Sequence, residues 1–251
     1  MNRSIPTGGR YALLDELRGL CLINMMVYHA MWDLIFLFGL SADWFLGLPG
    51  YLWQQITSWI FILLSGFCVP LGHRTLRRGA EVFGAGLLVT LVTWVLMPSD
   101  LVVFGVLTFL GSAMLLTGLL RPVLDKVPAP AGLAVCGVLF FLTRDINQGF
   151  FGFEGITLAA VPSGWYANFG TAFLGFPHLE FYSTDYFSLF PWLFLYWIGF
   201  FLHKAVGRER MAPLRRSVCP PLGWAGRHSL LLYLLHQPVI YGLMMAGTFL
   251  L

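Results

Sequence analysis

LDELRGLCLINMMVYHAMWDLIFLF, residues 14 to 38, decides how the rest of the chain is to be read. A membrane helix needs about 20 predominantly apolar residues, and this stretch has them, yet it also carries Asp15, Glu16, Arg18, His29 and Asp33. Ionisable groups are costly in hydrocarbon, so inside a span they face the bundle interior or a wet cavity and mark function. At about 100° per residue, Arg18 and His29 fall on one stripe, and Asp15 and Asp33 fall on it too. A rise of ~1.5 Å per residue puts His29 roughly 16 Å deeper than Arg18. With Arg18 at the cytoplasmic boundary, the imidazole lies near mid-membrane or in the outer half.

An imidazole exchanges its proton near neutrality, so His29 is a candidate general base, and Asp33, one turn further on, is placed to hold its tautomer or its charged form. The plainer alternative is a histidine that only hydrogen-bonds a neighbouring helix. The accompanying charged stripe weighs against it.

The rest of the chain agrees with a membrane reading. Of 251 residues 58% are hydrophobic and only 11% charged, and the mean hydropathy is +0.76, well outside the soluble range. The first apolar stretch continues without a small-residue cleavage site and is read as retained. Apolar windows near 13–37, 51–70, 80–97, 101–120, 130–143, 188–206 and 224–250 give about seven transmembrane helices, an all-α polytopic bundle forming a single domain over 1–251. Basic residues set the orientation. With the N-terminus inside, Arg3, Arg10, Arg18, Arg74, Arg77, Arg78, Arg121, Lys126, Lys204, Arg208, Arg210, Arg215, Arg216 and Arg227 fall on the inner side and Arg144 on the outer. That is N-in, C-out. Residues 144–187 form a long outer segment, aromatic and Gly-rich, expected to fold over the bundle as a re-entrant or interfacial lid.

The net charge of +3 does not imply a nucleic-acid partner, because the basic residues sit at span ends and form no nucleic-acid module. Cys21, Cys68, Cys136 and Cys219 show neither metal-ligand nor disulfide spacing, and no metal is expected. Three other groups are candidates. His73, Arg74, Arg77 and Arg78 begin a helix at the inner edge, where guanidinium groups suit phosphates; ordinary positive-inside charge is the alternative. Ser229, Tyr233 and His236 recur at i, i+4 and i+7 on one face of the last span, with His236 at a depth like that of His29. They read equally well as an acceptor-binding or proton-handling centre and as a structural histidine, His236, capped by Gln237 before Pro238. Asp185 and Tyr186, with His178 and Glu180, lie in the outer segment and are candidates to receive an acceptor, against the usual polarity of loops.

LDELRGLCLINMMVYH, with Asp15, Arg18-Gly19 and His29, resembles the first helix of the transmembrane acyltransferase superfamily. The likeness is to bacterial relatives of heparan-alpha-glucosaminide N-acetyltransferase and to acyltransferase family 3, whose first helix has an Arg, ten residues and a His, as Arg18 and His29 do. FILLSGF at 61–67 with HRTLRRG at 73–79, STDYFSLFPWLFLYWIGFFL at 183–202 and GRHSLLLYLLHQPVI at 226–240 are similar to further family segments. The chain is much shorter than the lysosomal enzyme, which has an Asn in place of His29. The catalytic reading of His29 therefore rests on family 3.

The resemblance implies a membrane-embedded acyltransferase that moves an acetyl or other acyl group from cytoplasmic acyl-CoA to a sugar or other hydroxyl or amine acceptor on the outer side. His29, Asp33, Arg18 and Asp15 would be catalytic, and His73, Arg74, Arg77 and Arg78 would bind CoA. Asp185, Tyr186, His236, Ser229 and Tyr233 would meet the acceptor. The alternatives are a secondary transporter or proton-coupled carrier using the same charged stripe, and a non-catalytic partner on the same scaffold. The expected surroundings are a lipid bilayer, taken to be a bacterial inner membrane. The oligomeric state stays open, a homodimer included.

Overall fold

The computed structural model describes residues 10–250, with side chains to residue 247. Arg3, counted above on the inner side, lies outside the described residues. The chain divides into two compact units, Met1–Phe61 with Val206–Leu251, and Ile62–Ala205.

The first unit is built on α1 (Ala12–Phe36), followed by the short α2 (Asp43–Leu46) and the start of α3 (Leu48–Cys68); α9 (Pro220–Arg227) and α10 (Ser229–Leu250) complete it. No Gly or Pro interrupts the chain from residue 20 to 38, so α1 runs unbroken through the charged stripe. It stops at Gly39, whose φ of 74° lets the Leu40 N–H turn back to the Leu34 carbonyl at 2.9 Å. α1 and α9 meet backbone to backbone. A Cβ on Gly226 would run into the Asp15 carbonyl, and one on Gly19 into the Leu222 carbonyl. Small residues let helices approach this closely in membranes, where van der Waals packing drives association.

The second unit holds α4 (Thr75–Leu96), α5 (Val106–Leu124), α6 (Ala129–Thr143), a hairpin of β1 (Phe150–Phe153) and β2 (Ile156–Ala160), α7 (Phe169–Leu174) and α8 (Trp192–Arg210). α4 and α5 also pack through glycines: a Cβ on Gly86 would meet Thr108, and one on Gly111 would meet Phe83. Tyr196, Phe200 and Phe201 of α8 are fully buried. The Lys204 ammonium donates to the carbonyls of Leu124 (3.0 Å), Asp125 (3.0 Å) and Val127 (2.7 Å), closing the C-terminal end of α5.

Among the described residues six helices are long and apolar enough to cross a membrane: Ala12–Phe36, Leu48–Leu71, Thr75–Leu96, Val106–Leu124, Ala129–Gln148 and Ser229–Gly247. The protein is an all-α, multi-pass membrane protein. The expected span at 188–206 is a helix, α8, but it carries Lys204, Arg208, Glu209 and Arg210 and is not among the six. Its apolar surface is buried in protein, so it does not need the uninterrupted apolar composition that lipid exposure demands. The expected last span, 224–250, is broken at His228 into α9 and α10.

The outer segment contains no span-length helix among the described residues. Instead β1 and β2 pair antiparallel, Phe150 opposite Ala160 and Phe153 opposite Ile156, around a turn in which Glu154 and Gly155 take φ of 48° and 90°. Asp145 holds this turn by accepting from the Gly155 N–H at 3.0 Å. Arg144 pairs with Glu154 at 2.8 Å and lies 5.0 Å over the Trp192 ring. Downstream, the segment is tied to the entrance of α5 through Val103 N–H to Ser183 Oγ (2.9 Å) and Phe187 N–H to the Phe104 carbonyl (2.9 Å).

Candidate functional site

Along α1 the charged stripe separates into two ends. At its start, Asp15 accepts from Arg10 and, at 3.3 Å, from Arg18 Nη1. Glu16, almost fully buried, takes the Ser217 hydroxyl at 2.5 Å and the Val218 N–H at 3.0 Å, which fixes the strand of chain leading into α9. The guanidinium of Arg18 is thus engaged by Asp15, eleven residues before His29.

At the other end, α10 meets α1. The rings of His29 and His236 lie 5.1 Å apart at 55°. His236 Nδ1 is 2.5 Å from the Tyr233 carbonyl. A carbonyl only accepts, so Nδ1 carries the hydrogen and, in the neutral ring, Nε2 carries the lone pair. The Tyr233 ring packs on His236 at 5.2 Å, and Tyr28 stands edge-on to His29 at 6.1 Å. Asp33 has no exposed surface, and both of its oxygens accept from Gln237 Nε2, at 2.8 and 3.0 Å. Two residues from α1 and two from α10 therefore meet in adjacent pairs, His29 with His236 and Asp33 with Gln237. Ser229 opens α10 roughly 10 Å along the axis from His236.

Neither Gln237 nor Asn24 was singled out from the sequence as a site residue. Asn24 joins α1 to α3, giving a hydrogen to Thr57 Oγ1 at 2.5 Å and taking one from Trp53 Nε1 at 3.1 Å. Both act through partners far along the chain, and a lone carboxamide in an apolar run gives no local sign of what it meets.

In the second unit, His73, Arg74, Arg77 and Arg78 are all exposed at the start of α4. Arg74 sits at the helix N-cap in the left-handed region (φ 65°, ψ 44°), which costs a non-glycine residue about 1–2 kcal/mol. Arg77 pairs with Glu81 at 2.9 Å, with both side chains exposed. Asp185 Oδ2 accepts from the Val106 N–H at 3.2 Å and so caps α5. Tyr186 donates its hydroxyl to the Ala172 carbonyl, and burial pushes its phenol pKa up. His178 lies between the rings of Phe169 and Phe181. A cavity of about 370 Å³ opens beside Leu91, Trp94 and Phe169, and its lining carries no charged side chain, so it holds no candidate acid or base.

Two imidazoles in ring contact, one from α1 and one from α10, thus lie on helices long and apolar enough to cross a membrane, an arrangement that places the chain among multi-pass membrane proteins. The family described as heparan-alpha-glucosaminide N-acetyltransferase, catalytic, matches residues 10–238, and the chain belongs to that family. It is a membrane transferase of the acetyltransferase type. Neither a curated protein nor a solved structure matches the chain.

Proposed function

We propose that the protein transfers an acetyl or related acyl group from cytoplasmic acyl-CoA to an amine or hydroxyl acceptor reaching it from the outer side, in a bacterial inner membrane. Membership of the family supports acyl transfer, and the His29–His236 pair is the observation that carries the assignment of the reacting centre. His29 takes a proton from the acceptor as the acceptor's nitrogen or oxygen bonds to the thioester carbonyl carbon. The C–S bond then breaks, and the CoA thiolate leaves and is reprotonated. Arg74 and Arg77, with His73 and Arg78, bind the CoA phosphates: all four are exposed and stand at the start of a 22-residue helix, where charge and helix dipole both favour an anion. Asp185 and Tyr186 flank the acceptor's approach.

The test is binding of acetyl-CoA to the purified protein by calorimetry, together with thioester consumption. Arg74→Ala with Arg77→Ala is expected to weaken binding at least about tenfold. His29→Ala is expected to keep binding and to lower turnover by about 10²-fold or more. Absence of acetyl-CoA binding in the parent would sink the proposal.

A further inference from the structure

Between Gly207 and Ser229 the chain carries five arginines, Arg208, Arg210, Arg215, Arg216 and Arg227, against a single acid, Glu209. The acyl-transfer reading uses none of them. At Gly207 the backbone leaves the helical region (φ 68°, ψ 159°), and the stretch that follows is tied down at a few points. Met211 is fully buried. The Arg215 guanidinium lies 5.5 Å over the Tyr11 ring, and Glu16 accepts hydrogen bonds from Ser217 and Val218. These ties fix the stretch on the start of α1. Arg208, Arg210, Arg216 and Arg227 stay exposed, and none of the four has a carboxylate partner among the described residues.

α9 shows two faces. Leu222 and Gly226 lie against α1, close enough that a Cβ on Gly226 would strike the Asp15 carbonyl. Pro220, Trp224 and Arg227, at i, i+4 and i+7, share a different face and are exposed. The Trp224 side chain stacks on His228 at 4.7 Å yet leaves the residue 52% exposed, and Val218, just before the helix, is 68% exposed. Cationic and apolar side chains are therefore interleaved on one surface. Water alone rewards only the first kind, whereas the headgroup layer of a membrane suits both: an indole settles at the boundary between polar and apolar zones, and guanidinium groups meet phosphate. The depth agrees, because one span starts at Ser229, directly after this stretch, and another at Ala12, next to Tyr11.

We infer that this surface, on the side that the basic residues mark as inner, binds the headgroups of anionic phospholipids. Arg208, Arg210, Arg216 and Arg227 meet the phosphates, and Trp224 sits where the headgroups give way to acyl chains. Free phosphate would use the arginines alone and leave Trp224 and Val218 in water. The site holds whether or not the protein transfers acyl groups. Each arginine close to an anionic membrane surface is worth about fivefold in affinity.

The experiment uses native mass spectrometry to count the lipids retained by the full-length protein in detergent as dioleoyl phosphatidylglycerol or dioleoyl phosphatidylcholine is titrated in. Arg216→Gln with Arg227→Gln removes two charges of the patch. Arg121→Gln with Lys126→Gln removes two charges assigned to the same side elsewhere in the chain and serves as the control. Arg208→Gln with Arg210→Gln is the second patch variant, read if the first lowers the unfolding temperature. The expected result is phosphatidylglycerol binding in the parent at least about tenfold tighter than phosphatidylcholine, a loss of about tenfold or more in the patch variant, and no change in the control. Equal affinity of the parent for the two lipids overturns the inference. So does equal behaviour of the patch and control variants, which would reduce these arginines to a signal for orientation. Displacement of phosphatidylglycerol by micromolar acetyl-CoA also overturns it, since the patch would then belong to the nucleotide.

Discussion

Arg74 combines a costly backbone conformation with an exposed, unburied side chain. Strain of this kind persists where surrounding structure over-determines it, and it clusters at ligand sites. Glycine takes φ of 65° without penalty, so Arg74→Gly is expected to raise stability by about 1 kcal/mol while weakening acetyl-CoA binding. Thermal unfolding and calorimetry on the same variant would separate the two effects; a destabilised variant would mean the guanidinium holds the helix start together. Tyr186 offers a pH test. Burial raises its phenol pKa in the folded protein above the ordinary 10.0, so the folded state keeps a proton that the unfolded state releases. Its contribution is therefore intact below pH 10 and is lost as pH climbs toward the folded value. Unfolding temperature followed from pH 8 to 11 should fall less steeply in Tyr186→Phe than in the parent. Identical slopes would show that the phenol does not govern alkaline unfolding.

The pairing of α1 with α9 depends on two missing side chains. A Cβ at Gly226 meets backbone, which cannot rotate aside, so Gly226→Leu must push the helices apart and disturb everything α1 aligns with α10. The expected loss exceeds the 1–3 kcal/mol usual for overpacking, and it should appear as lower folded yield and a lower unfolding temperature. By contrast Gly242→Ala, in α10 where a Cβ meets nothing within 4 Å, should leave both unchanged. Equal behaviour of the two variants would remove the case for a close helix seam. The helices themselves were legible in the sequence because apolar length and 3.6-residue spacing are local properties. Thus α1 and its stripe were readable from 25 residues, whereas the Asp33–Gln237 contact spans 204 positions and leaves no trace in either neighbourhood. The β1–β2 hairpin was missed for a related reason: its strands have four and five residues, too few for alternation to stand out in a Gly- and Phe-rich run. The break at His228 escaped notice because apolar composition continues across it.

For the chain as a whole, the distribution of basic residues makes a prediction about sidedness. With the N-terminus inside, the turn between β1 and β2 faces outward and the start of α4 faces inward. In a cysteine-free background, a thiol placed at Gly155 should react with a membrane-impermeant maleimide in intact cells. One placed at Arg78 should react only after the membrane is opened. The opposite pattern would invert the topology, and with it the proposed route of donor from inside and acceptor from outside.

Lys204 adds something about self-protection. Lys126 and Lys204 are the only lysines among the 15 cationic residues of the sequence, the others being arginines, and a guanidinium is a poor nucleophile at physiological pH because it stays protonated. The Lys204 ammonium has three hydrogens and three carbonyls to receive them, so this amine is occupied within the fold. On the proposed acyl transfer, an activated acyl donor arriving at the inner face would meet Lys126 as the one exposed lysine amine, which would confine self-acylation of lysine largely to that position.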